Sequence, residues 1–71
     1  MNDLNDLLIF AKVAELLGIS SAARALRLPK SKVSRRLAAL EDELGVRLLE
    51  RNTRGARLTD AGEIYYQHCK R

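Results

Sequence analysis

Tryptophan is absent from this sequence, aromatic residues are confined to Phe10, Tyr65 and Tyr66, and cysteine, proline, methionine and histidine occur once each. Each scarcity removes a class of explanation. With so few rings, the core must be built from Leu, Val, Ile and Ala. Cys69 has no second cysteine, so no intramolecular disulfide can staple the fold, and no Cys and His set has zinc-site spacing. A reducing cytoplasm suits such a chain. His68 has no partner at catalytic or metal spacing and is expected on a helix surface or at an interface. No catalysis, cofactor or bound metal is therefore expected. No segment reaches the apolar length of a membrane span, and the N-terminus lacks the basic start and continuous apolar stretch of a signal peptide. At 71 residues the chain can form one domain with one small core, which leaves no room for a separate catalytic domain.

What is abundant is positive charge, and it is concentrated. Arg24, Arg27, Lys30, Lys32, Arg35 and Arg36 place six cations and no acid between residues 24 and 36. The formal net charge of +4 is distributed as −2 over residues 1–23, +6 over 24–36, −3 over 37–50, +3 over 51–57 and 0 over 58–71. Such zoning polarises the molecular field and draws a polyanion to one side. One charge run is commonly a solvated face. Two basic blocks that both coincide with recognition-like elements point to a polyanionic partner instead.

Apolar spacing divides the chain into short elements. Leu4, Leu7, Leu8, Ala11 and Ala14, widened by Phe10, Val13 and Leu17, predict a helix over residues 3–17, with Asp3 and Asp6 favouring its N-terminal end. Gly18 is expected to stop it in a left-handed cap. Ser20 or Ser21 can cap the next helix, whose inner face is Ile19, Ala22, Ala23 and Leu26. Pro29 places a turn at Arg27 to Pro29 and a new helix start near Lys30 or Ser31. In that third helix, running to about Leu44, Val33, Leu37, Leu40 and Leu44 share a narrow arc while Ser31, Arg35 and Ala38 lie opposite. Its acids wait until Glu41, Asp42 and Glu43, so its N-terminal half is basic and its C-terminal half acidic. Gly45 stops it. Val46 to Arg51 and Ala56 to Thr59 have strand-like composition around the turn-prone Asn52-Thr53-Arg54-Gly55, although the alternation does not decide which face is buried. Thr59 can cap a last helix with Ala61, Ile64, Tyr65, His68 and Cys69 on one side. That helix carries no stop signal, which predicts that the natural chain continues.

The fold class expected is mainly α: a winged helix-turn-helix with a three-helix core, a two-stranded wing and the start of a C-terminal linker helix. In that geometry the second helix of the pair enters the major groove, and the hairpin reaches a minor groove or a phosphate strand. Arg35, central on the exposed face, is the best candidate to donate a forked pair of hydrogen bonds to guanine. Ser31 and Ser34 can donate or accept, and Lys30 and Lys32 can reach bases or phosphates. Ser20 and Ser21, with the N–H groups at the start of the second helix, form a candidate phosphate seat. Arg54 beside Gly55 is a candidate minor-groove or phosphate contact. Arg51 and Arg57 are candidates either for phosphates or for ion pairs with Glu50. Tyr65 is expected in the core.

The opening LNDLLIFAKVAE and the run SSAARALRLPKSKVSRRLAALEDELGVRLLERNTRGARLTDAGE cover nearly the whole chain. Their most specific pieces are Val33-Ser-Arg-Arg-Leu37, Leu40-Glu, Leu44-Gly-Val-Arg-Leu-Leu-Glu-Arg51 and Leu58-Thr-x-Ala-Gly62. Over that length the sequence resembles the N-terminal DNA-binding domain of LysR-type transcriptional regulators. The resemblance implies base contacts by Lys30, Ser31, Ser34 and Arg35 from a recognition helix at about residues 30–44. It also implies a wing at about residues 47–58, with Arg54 as its contact. Ser20, Ser21, Lys32, Arg36, Arg51 and Thr53 complete the expected backbone or minor-groove set. Where the family usually has a Ser-Gln pair this chain has Pro29-Lys30, and where it usually has Gly-Ser-Phe this chain has Leu17-Gly18-Ile19.

The resemblance further implies a DNA-binding domain over residues 1–59 and the start of a dimerisation linker over 60–71. Its partners would be double-stranded DNA, a second copy in a homodimer or higher oligomer of the full-length parent, and a small-molecule effector held by a domain beyond this segment. No membrane partner is expected. Two other readings of the residues remain open at this point. A winged helix can dock an acidic protein through its basic face, and a small basic module can bind RNA, although the stacking aromatics used on single strands are missing from the basic regions.

Overall fold

The computed structural model describes residues 4–52 and 55–70, with the side chains of residues 5–50 and 56–70. The chain runs α1 (Leu4–Leu16), α2 (Ile19–Leu26), α3 (Lys30–Leu44), β1 (Leu49–Asn52), β2 (Gly55–Leu58) and α4 (Asp60–Cys69). The strands pair antiparallel with Leu49 opposite Leu58 and Asn52 opposite Gly55, which makes the expected hairpin. The core is aliphatic, as the shortage of rings requires: Val13, Val33, Leu37, Leu40, Leu48 and Leu49 are fully buried around a single Phe10. Tyr65 and Tyr66 of α4 close that core from outside, their rings 5.5 and 6.4 Å from Phe10. Ala22 and Ala23 are buried where α2 packs against α1 and α3, so the small residues sit at close helix crossings.

Helix faces differ from the expected ones in α1 and α4. On α1 the buried stripe is Asp6, Ile9, Phe10, Val13 and Ala14, whereas Leu8 is 56% exposed and Leu17, just past the end of the helix, is 51% exposed. The helix rolls to place its largest side chains inward, and Asp6 follows them because Arg36 receives it there. On α4 the inward side is Gly62, Tyr65, Tyr66 and Cys69, with Ile64 and His68 exposed. The cause is Gly62. A methyl group at that position would overlap the Leu48 carbonyl, so the missing side chain lets α4 lie directly on the start of the hairpin and fixes its roll.

The caps also shift. Gly18 does not take the left-handed conformation; Leu17 does, with φ 52°, while Gly18 is extended at φ −170°. Gly18 already belongs to α2 as its N-cap, since its carbonyl accepts the Ala22 N–H at 3.1 Å, so the reversal falls one residue earlier. Ser20 and Ser21 consequently lie within the first turn of α2 and do not cap it. The strands are shorter than composition suggests. Val46 to Leu48 precede β1, and Thr59 leaves the strand to cap α4, its hydroxyl accepting the Gly62 N–H at 2.9 Å and donating to the Arg47 carbonyl at 2.6 Å.

Candidate nucleic-acid interface

The α2–α3 turn is built by the backbone. Arg27 takes a left-handed conformation at φ 58°, and the N–H groups of Arg27 and Leu28 return to the carbonyls of Arg24 and Ala23 at 3.2 and 2.9 Å. This closes α2 with the paired bonds that usually recruit glycine. Pro29 follows as the N-cap of α3 at φ −61° and ψ 141°, and no side chain caps the helix. The Pro29 carbonyl accepts from Lys32 and Val33 at 3.0 and 3.2 Å. Pro29 thus starts α3 through its backbone carbonyl alone.

With α3 beginning at Lys30, the candidate readers form one continuous face. Residues 30 and 34, and residues 31 and 35, are each one turn apart, and residues 31 and 34 are neighbours across the same surface. Lys30, Ser31 and Arg35 are exposed and Ser34 is half-buried, while Val33 between them is sealed in the core. Lys32 lies on the flank toward α1, where it lines a groove with Leu8, Leu26, Leu28 and Arg36. Ser20 and Ser21 are exposed at the start of α2.

Arg36 has a structural partner. Its Nε and Nη2 donate to Asp6 Oδ1 and Oδ2, both at 2.8 Å, and the Asp6 side chain is 4% exposed. In the wing, Arg57 stands opposite Glu50 with Nε 3.7 Å from Oε2, which is the ion-pair alternative for that residue. The pair is exposed, so it contributes little to stability. Thr53, Arg54 and the side chain of Arg51 lie outside the described residues.

Three residues that position this surface carry no signal in composition. Glu41, in the acidic half of α3, is buried, and its Oε2 accepts the N–H groups of Leu48 and Leu49 at 2.7 and 3.1 Å with Arg47 Nε at 3.8 Å. One carboxylate thereby ties the end of the recognition helix to the first residues of the hairpin. Its place was readable from spacing, because residue 41 lies one turn after Leu37 on the buried stripe. Asp6 was readable in the same way, three and four residues before Ile9 and Phe10. Gly62 is the third.

Burial pushes the Cys69 thiol above its ordinary range. Among the described residues no group of three or more His, Cys, Asp or Glu side chains is placed to hold a metal, and no helix is long and apolar enough to cross a membrane.

A family model described as a bacterial regulatory helix-turn-helix protein of the lysR family matches residues 4–63. An HTH-type transcriptional regulator of Xanthomonas campestris pv. campestris (strain 8004) is 53% identical over 70 residues, which cover 99% of this chain and 20% of that protein. Among solved structures, the BenM DBD in its catB site 1 DNA complex matches with a TM-score of 0.94 at 35% identity, over 97% of this chain and 77% of that one. Full-length CbnR complexed with its target DNA matches with a TM-score of 0.94 at 36% identity, over 97% of this chain and 24% of that one. The chain thus spans one fifth of the length of the Xanthomonas relative.

Proposed function

Because this chain belongs to the LysR family of bacterial regulatory helix-turn-helix proteins, we propose that it is the sequence-specific DNA-binding domain of a transcriptional regulator and recognises one half-site of a duplex operator. The observation that carries this reading is the face formed by Lys30, Ser31, Ser34 and Arg35, which belongs to a helix held by the core yet takes no part in that core. Arg35 offers its fork to a guanine edge, and the two serines and Lys30 read neighbouring positions. Ser20, Ser21 and Lys32 meet phosphates. The wing, with Arg51, Thr53 and Arg54, follows the adjacent minor groove or backbone.

Residues 1–59 form the binding unit, and residues 60–71 begin a linker that joins two copies in the full-length protein, where a further domain binds a small-molecule effector. Solved DNA complexes of BenM and CbnR support the nucleic-acid partner, and the naming of the relatives as transcriptional regulators supports a non-catalytic role in the cytoplasm.

Selection of binding sites from a random duplex pool, followed by titration of a recovered duplex across a salt series, tests this. With about five to eight phosphate contacts, log affinity falls against log salt with a slope of roughly −5 to −7. A salt-independent affinity, or equal retention of every duplex in the pool, would refute it.

A further inference from the structure

Of the six cations between Arg24 and Arg36, Arg36 alone carries an ion pair among the described residues. The pair joins residues 30 positions apart, from the first turn of α1 to the middle of α3, and both guanidinium-to-carboxylate bonds measure 2.8 Å. Two parallel bonds between planar groups fix distance and orientation together. The Asp6 side chain is buried to 4% exposure while Arg36 keeps 41%. A buried carboxylate costs desolvation that its partner only offsets, so such a pair is weak evidence for added stability and a better device for fixing one arrangement. The tie meets α3 at the residue directly after Arg35.

Resting on the DNA-binding reading above, we infer that Asp6 is a positioning residue for the recognition helix: it withdraws Arg36 from the phosphate-binding set and holds the Arg35 face in one orientation, which favours sequence selectivity over raw affinity. Phosphate contacts carry no sequence information, whereas base contacts require a fixed approach. An Arg36 released from Asp6 lies one turn beyond Lys32 on the same flank and becomes one more cation for the backbone.

The test compares the wild-type chain, Asp6→Asn and the double variant Asp6→Asn with Arg36→Gln. Each is titrated against a duplex recovered by the wild type from a random pool and against a scrambled duplex of the same composition, across a salt series, with folding checked by circular dichroism. Asp6→Asn, nearly isosteric, is expected to bind the scrambled duplex more tightly, to steepen its salt slope by about one, and to lower the ratio of specific to scrambled affinity roughly threefold to tenfold. A merely structural tie predicts weaker binding to both duplexes with an unchanged slope and ratio, and that result would overturn the inference. If Asp6→Asn does not fold, the double variant decides: it is expected to keep the wild-type slope, and a slope shallower by about one would show that Arg36 already serves phosphates. Failure of the wild type itself to retain duplex DNA would refute the underlying reading instead.

Discussion

Between Lys30 and Arg36, α3 buries one side chain, Val33, and turns Lys30, Lys32 and Arg35 outward while Arg36 leans back on Asp6; between Leu37 and Leu44 it buries Leu37, Leu40 and Glu41 and half-buries Leu44. The same helix is a display surface at one end and a scaffold at the other. Its display end is steadied by few devices: the Pro29 carbonyl, Val33 and the Arg36 fork on Asp6. Its scaffold end is locked to the hairpin through the Glu41 carboxylate, and the hairpin is locked to α4 through Leu48 and Gly62. The division teaches that a reading surface needs residues the core can spare, on a helix the core cannot release.

Substitutions at the scaffold end should therefore lower stability without changing base preference. Glu41→Ala strands two buried N–H groups and is expected to cost about 2 to 4 kcal/mol in urea unfolding. If it costs under about 0.5 kcal/mol, within the range of ordinary surface changes, the carboxylate is no anchor. Gly62→Ala drives a methyl group into the Leu48 carbonyl, so α4 must shift, with an expected loss of about 1 to 3 kcal/mol by the same measurement. At the display end the signs part. Arg27→Gly relieves a left-handed non-glycine residue and is expected to raise stability by about 0.5 to 1 kcal/mol. The same change should leave base preference intact and make the salt slope no more than about one shallower. A stability loss would show that the Arg27 side chain packs usefully despite its backbone.

Much of this was legible in the sequence. The limits of α3 follow from Pro29 and Gly45, and the stripe of Val33, Leu37 and Leu40 is buried where the wheel puts it, which leaves Arg35 outside. The hairpin and the Thr59 cap follow from turn and capping chemistry. The two acids that organise the site stand at the spacing of the buried stripes, but spacing alone does not name the distant partner that a buried carboxylate needs. Asp6 finds Arg36 across the fold, and Glu41 finds backbone N–H groups that have no sequence signature at all. The roll of α4 departs from its apolar pattern for a related reason: an apolar side chain such as Ile64 suggests burial, whereas the inward position belongs to Gly62, whose missing side chain makes room for the Leu48 carbonyl.

The most direct measurement is the affinity of wild-type and Arg35→Ala chains for every single-base variant of a duplex recovered from the random pool. Arg35→Ala should unfold within about 0.5 kcal/mol of the wild type, since its side chain is exposed. It should erase preference at one or two base pairs, worth about 1 to 3 kcal/mol there, and leave the other positions discriminated as before. An equal loss across all variants would place Arg35 on the backbone and contradict the assignment of the Lys30 to Arg35 face to base reading.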